Sequence, residues 1–256
     1  MRVTLFQTDI FWEDKLRNLA NIESGLQSLR GKTDLIVLPE MFTTGFSMNS
    51  RNLSEENSGN TISTIKRWAK DLDTAICGSH IAKENGRYFN RGFFITPHSE
   101  YYYDKRHLFR MGEEKNYFEA GSERLIVKYK EFNICLQICY DLRFPVWARN
   151  VNNEYDLLIY VANWPESRIF VWQNLLIARA LENMSYVCGV NRIGKDGNDL
   201  KYNGMSALIS PRGKAISSVK DSVEWIETVE IDREELELFR KKFPVWKDAD
   251  NFKILK

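Results

Sequence analysis

Two short stretches, Leu35–Leu38 and Leu157–Val161, are apolar throughout. Such strands have no face to offer to water, so they read as strands buried within a layered structure. Amphipathic helical patterns alternate with them. From Trp12 to Leu29, apolar Leu16, Leu19, Ile22, Leu26 and Leu29 recur at spacings of three and four, which predicts a helix. Thr61–Leu72 repeats the pattern with Ile62, Ile65, Trp68, Ala69 and Leu72. Further strands are expected at Val3–Thr8, Thr74–His80, Tyr186–Asn191 and Glu224–Ile231. Three antiparallel hairpins are expected: Tyr88–Thr96 with Glu100–Lys105, Leu125–Tyr129 with Phe132–Ile138, and Ser206–Ser210 with Lys214–Ser218. Helices are expected at Val146–Asn152 after the Phe144-Pro145 turn, at Phe170–Asn183 and at Glu234–Lys242. No Gly/Ser/Pro-rich linker and no repeat interrupts the chain. The alternation with hairpins predicts an α/β protein: one domain over residues 1–256, two mixed sheets facing each other and helices outside.

Charge and composition exclude several classes. The 256 residues carry 36 basic and 35 acidic side chains, so no basic face invites nucleic acid or an anionic membrane. The basic run Arg240-Lys-Lys242 is followed by Asp248 and Asp250 and reads as a solvated surface. The amino terminus reads as a strand rather than a signal peptide, and no apolar stretch approaches membrane-spanning length. Cys77, Cys135, Cys139 and Cys188 make no CxxC or zinc-ligand spacing, so they read as reduced thiols of a cytoplasmic protein. His80, His98 and His107 have no ligand spacing either. Gly31-Lys32-Thr33 mimics the end of a phosphate loop, but the preceding Gly25 is one place too early and the segment before it is helical.

Chemistry is concentrated at three strand ends. Leu35-Ile-Val-Leu-Pro-Glu40 ends in a carboxylate, Tyr101-Tyr-Tyr-Asp-Lys105 in an ammonium, and Ile134-Cys-Leu-Gln-Ile-Cys139 in a thiol. A thiol becomes a nucleophile when a base takes its proton or a cation stabilises the thiolate. Cys135 lies inside its apolar run and reads as core. Cys139 is followed at once by Tyr140-Asp141-Leu-Arg143, a polar turn. Glu40 could be its base and Lys105 its cation.

The blocks Leu38-Pro-Glu40-Met-Phe, Tyr103-Asp-Lys105-Arg-His-Leu-Phe109 and Ile138-Cys139-Tyr-Asp-Leu-Arg143-Phe-Pro145 resemble, in this order, those of the nitrilase or carbon–nitrogen hydrolase superfamily. Ala162-Asn-Trp164-Pro and Val190-Asn191-Arg192 add to the resemblance, which covers about residues 1 to 252. It implies a four-layer αββα sandwich and a catalytic triad of Glu40, Lys105 and Cys139. It also implies a second glutamate shortly after the lysine, for which Glu113 is preferred and Glu114 competes. It implies a homodimer too, with Trp147 and the 243–256 tail as candidate contacts. No cofactor or metal is implied.

Asn163-Trp164-Pro-Glu-Ser-Arg168 and Asn198–Ser206 are closest to the omega-amidase branch. That similarity implies hydrolysis of the terminal amide of a 2-oxo acid amide such as 2-oxoglutaramate, through a thioester. The backbone of Tyr140 would help hold the oxyanion. The far carboxylate of such a substrate suits a guanidinium. Arg168 is one candidate and Arg143 another, although an ion pair with Asp141 is the simpler reading of Arg143. Phe42, Tyr117, Phe118 and Trp164 could supply apolar walls. Other readings stay open: hydrolysis of an N-carbamoyl compound, aliphatic amide or nitrile, acyl transfer, or a scaffold that kept the fold.

Overall fold

The computed structural model describes residues 1–254. It is a four-layer αββα sandwich of two mixed sheets. The first sheet has the order β13-β1-β2-β3-β4-β5. Its strands are β1 (Arg2–Gln7), β2 (Leu35–Val37), β3 (Ala75–Glu84), β4 (Arg87–Ile95), β5 (Glu100–Asp104) and β13 (Trp225–Glu230). β1, β2 and β3 run parallel, and β13, β4 and β5 complete the sheet antiparallel to their neighbours. The second sheet has the order β12-β9-β8-β7-β6. It holds β6 (Leu125–Tyr129), β7 (Phe132–Ile138), β8 (Leu157–Ala162), β9 (Tyr186–Asn191) and β12 (Ala207–Ile209), with β7, β8 and β9 parallel at its centre. A separate ribbon pairs β10 (Ile193–Lys195) with β11 (Lys201–Asn203).

Period-two alternation assigns side chains to layers. Val3, Leu5, Leu35 and Val37 meet Ile134, Leu136, Ile138, Ile159 and Val190 between the sheets. Their neighbours Phe6, Ile36 and Leu38 point the other way, under α1 (Lys15–Leu26) and α3 (Asn60–Leu72). On the second sheet, Cys135, Leu158 and Tyr160 face Trp172, Leu176 and Ala180 of α5 (Ile169–Asn183). This is why the central strands read as continuous apolar runs: each faces a sheet on one side and helices on the other. Two one-turn helices, α2 (Ser50–Leu53) and α4 (Pro145–Ala148), and α6 (Arg233–Lys242) complete the regular structure.

Three expectations shift. The helix expected over Val146–Asn152 is only the four residues of α4, because Arg149 leaves the helical region with ψ 127°. The hairpin expected after β12 keeps one bridge, Ile209 to Ala215, because the Ser217 hydroxyl accepts the Leu208 N–H at 2.9 Å in place of a strand carbonyl. The first helix begins at Lys15 rather than Trp12, where Asp14 caps it by accepting the Arg17 N–H at 3.0 Å. Among the described residues, no helix is long and apolar enough to cross a membrane.

His80 on β3 is buried against Phe93, and its Nε2 has no partner. Burial pushes its pKa down to about 3. Below the ordinary value of 6.5 the unfolded chain takes up a proton that the fold refuses, so this contribution to stability is complete above 6.5 and is lost as pH falls towards 3. His80→Gln should remove about 1 kcal/mol per pH unit of that slope. Urea unfolding of both proteins at pH 7 and pH 4.5 checks this.

Candidate active site

The site lies where strand ends from both sheets converge. Glu40 follows β2, Lys105 follows β5, and Cys139 and Asn163 follow the parallel neighbours β7 and β8. Crevices beyond the carboxyl ends of parallel strands are where α/β proteins place ligands. Ile138 pairs with Val161, which brings Cys139 alongside the Ala162–Asn163 peptide, and the Cys139 Sγ lies 3.9 Å from the Asn163 carbonyl oxygen.

Cys139 opens a tight 3-10 turn, Cys139–Arg143, and its own φ is +45°. A non-glycine residue in that region is strained and persists only where its surroundings over-determine it. The reversal swings the thiol out of the sheet and into the cavity. Glu40 is fully buried. Its Oε1 accepts from Lys105 Nζ at 2.8 Å and Asn90 Nδ2 at 2.7 Å, and its Oε2 accepts from the Asn163 N–H at 2.8 Å.

The second acid at the ammonium is Glu114, not Glu113. Lys105 Nζ donates to Glu114 Oε1 at 3.1 Å and Oε2 at 3.0 Å, and Glu114 Oε2 also accepts the Phe109 N–H at 2.5 Å. Glu113 is exposed. Its left-handed backbone, φ +55°, joins two successive 3-10 turns and turns residue 114 inward in its place. Sequence spacing could not phase two adjacent glutamates. Asn90 was missed altogether. It bridges both acids, and its Oδ1 accepts from Ser79, whose hydroxyl in turn receives the Met41 N–H.

Electrostatics follow from this burial. Burial alone would lower the Lys105 pKa, but Glu114 and Glu40 outweigh it and the ammonium is held charged. Glu114 is pushed up by burial and by Glu40, against the pull of Lys105. The Cys139 thiol is pushed well up, first by burial and then by Glu40, and Lys105 opposes the shift only in part. These surroundings disfavour a standing thiolate at Cys139.

A cavity of about 330 Å³ opens above the sulfur. Tyr140, Arg143, Trp164 and Arg168 line it. Arg143 lies over the Trp164 ring at 5.2 Å and Arg168 over the Phe109 ring at 5.3 Å. Among the described residues neither guanidinium has a carboxylate within ion-pair distance. Asp141, the partner expected for Arg143, is occupied instead by Tyr103, His107 and the Ile138 N–H. Two expected wall residues lie elsewhere. Phe42 is buried beneath the first sheet, edge-on to Phe93 at 6.0 Å, and Tyr117 is exposed on the outer side of its loop. Phe118 packs with Met41 and Ile81. The walls are made instead by Phe46, Met48, Phe109 and Met111 on one side and Asp196, Leu200 and Tyr202 on the other. Among the described residues, no group of three or more His, Cys, Asp or Glu side chains is placed to hold a metal ion.

A thiol beside the paired Glu40 carboxylate and Lys105 ammonium, at the floor of a cavity, suits nucleophilic attack on a carbonyl-like carbon. The chain belongs to the carbon–nitrogen hydrolase family, whose model matches residues 2–241, and it is a hydrolase of carbon–nitrogen bonds other than peptide bonds. It is 40% identical to omega-amidase YafV of Escherichia coli, across 99% of this chain and 98% of that protein. It is 31% identical to 2-oxoglutaramate amidase of Bacillus subtilis, across 96% of each. In structure it is similar to XC1258 of Xanthomonas campestris, a CN-hydrolase superfamily protein with an arsenic adduct in its active site, with a TM-score of 0.97 and 40% identity over 99% of this chain and 98% of that one. An amidase of Nesterenkonia sp. AN1, 23% identical, shares the fold with a TM-score of 0.83 over 95% of this chain and 98% of that one.

Glu114→Gln should lower the turnover of a small amide about 100-fold by loosening Lys105, whereas Glu113→Gln should leave it near wild type. Steady-state ammonia release compares the two.

Proposed function

We propose that this protein is an omega-amidase that releases ammonia from the terminal amide of a small 2-oxo acid amide of the 2-oxoglutaramate or 2-oxo-4-methylthiobutanamide type. The observation that carries the substrate class is the pair of guanidiniums, Arg143 and Arg168, that line the cavity and, among the described residues, have no carboxylate within ion-pair distance. A buried-edge arginine without an acid is suited to an anionic ligand, and its planar fork meets both oxygens of a carboxylate. A cationic polyamine suits the cavity less, because two guanidiniums face the single acid Asp196 in the lining. The names of the relatives from Escherichia coli and Bacillus subtilis support the same reading.

In this reading Glu40 accepts the Cys139 proton as sulfur bonds to the amide carbon. The carbonyl pair moves to oxygen, where Lys105 Nζ and the Tyr140 N–H, at the open start of the turn, hold the charge. The intermediate collapses, the carbon–nitrogen bond breaks, and Glu40 returns the proton to the leaving ammonia. Water then attacks the thioester, giving a proton to Glu40. Collapse expels the sulfur, which regains that proton, and the free 2-oxo acid leaves. Glu114 keeps Lys105 oriented throughout.

We also propose a homodimer. Phe170, Ile177 and Leu181 lie on α5 at spacings of seven and four, and Phe170 is 75% exposed. Phe243, Val245 and Phe252 of the tail are also exposed, whereas residues 255–256 lie outside the described residues. Trp147, the other contact considered, is buried in its own subunit and donates its indole N–H to Tyr103 at 3.0 Å. The four free cysteines, three of them buried, support a cytoplasmic setting.

Purified protein should release ammonia from 2-oxoglutaramate, and Cys139→Ala should abolish it. Ammonia release that survives this substitution would sink the mechanism. Arg168→Ala and Arg143→Ala should each raise KM about tenfold or more for the 2-oxo acid amide and much less for an uncharged amide of similar size. Phe170→Glu with Leu181→Glu should yield a monomer by analytical ultracentrifugation.

A further inference from the structure

We propose that Asp141 is a positioning residue that locks the nucleophile turn to the lysine segment, setting where Lys105 stands relative to Cys139. The proposal rests on the amidase reading. Asp141 is fully buried and does not line the cavity, so it has no route to substrate. Its two oxygens nevertheless take four hydrogen bonds. Oδ2 accepts from the Tyr103 hydroxyl at 2.7 Å and from the Ile138 N–H at 3.1 Å. Oδ1 accepts from the His107 N–H at 2.9 Å and faces His107 Nδ1 at 2.8 Å. A carboxylate only accepts, so Nδ1 carries the proton.

These donors are not scattered. Ile138 immediately precedes Cys139, while Tyr103 and His107 lie two residues to either side of Lys105. The nucleophile belongs to the second sheet and the lysine to the edge of the first. One carboxylate therefore pins a strand end of each sheet to the other, beside the backbone strain at Cys139. The donors are themselves fixed. Tyr103 oxygen receives the Trp147 indole N–H at 3.0 Å and the Arg106 N–H at 3.2 Å, and the His107 ring stacks on Phe144 with centroids 3.7 Å apart. The lysine segment is also held on its own sheet, where Lys105 N–H donates to the Asn90 carbonyl at 3.0 Å. Glu40 and Asn163 also bond across the sheets, but Asp141 is the group whose bonds reach both the residue before Cys139 and the residues on either side of Lys105. A shift of about 1 Å between catalytic groups costs on the order of 100-fold in rate.

The test uses Asp141→Asn and the milder Tyr103→Phe in the full-length protein. Two readouts are followed: ammonia release from 2-oxoglutaramate, and the rate of Cys139 alkylation by iodoacetamide. Asp141→Asn places an amide NH2 against donors that need an acceptor. It should lower kcat about 100-fold with KM within about threefold, and slow alkylation about tenfold. Tyr103→Phe removes one of the four ties and should lower kcat about tenfold with KM unchanged. A loss of thermal stability with unchanged kcat per folded molecule overturns the proposal, as does a loss confined to KM. If Asp141→Asn does not fold, unchanged kcat and alkylation in Tyr103→Phe overturn it. Alkylation needs no amide substrate. Slowed alkylation in a protein whose wild type releases no ammonia would uphold the lock while the amidase reading fails.

Discussion

The Lys105 ammonium is enclosed completely, and everything around the site is arranged to make that tolerable. An unpaired buried ammonium would lose its charge, and a single buried ion pair seldom repays its own desolvation. Here two carboxylates, Glu40 and Glu114, share one cation, and Asn90 donates to both. The surplus negative charge has a chemical consequence. Two acids surround one cation, and the thiol of Cys139 lies beside them. In the proposed mechanism the same cluster that keeps the lysine charged supplies the base.

The two-sheet architecture exists to bring these groups together from distant parts of the chain. Glu40 belongs to the first sheet and Cys139 to the second, and the apolar layer between the sheets sets their separation. Leu5, Val37, Ile138 and Val161 are all fully buried in that layer. A volume change there would move one strand end against the other, so packing far from the thiol is tied to its geometry.

The sequence made the strand ends legible because each apolar run stops at a residue whose chemistry does not suit a core. Glu40, Lys105 and Cys139 stand out for that reason, and the burial of both faces of β2 and β8 was legible in their lack of polar positions. What lay in loops was not legible. Glu113 and Glu114 differ only in phase, and the left-handed residue that decides between them has no glycine or asparagine to announce it. Phe42 and Tyr117 are near Glu40 and Glu114 in sequence, yet the turn after β2 sends one under the sheet and the loop sends the other to solvent. The walls that replaced them, Phe46, Met48, Phe109 and Met111, sit on irregular segments with no period to read. Asn90 is one polar residue within a long strand, and only the side chains opposite it reveal its use.

Arg143 and Arg168 have a consequence for how a ligand arrives. Each lies over an aromatic ring at the cavity wall, and among the described residues neither has a carboxylate within ion-pair distance, so in the amidase reading the two cations outweigh Asp196 and favour positive potential at the mouth of an almost neutral protein. Low-dielectric walls focus such a field outward, and it falls off over about 8 Å at physiological ionic strength. Capture of a small anion is then faster than random collision at low salt and slows as the ionic strength rises, while an uncharged amide of the same size meets the cavity at a rate that salt leaves alone.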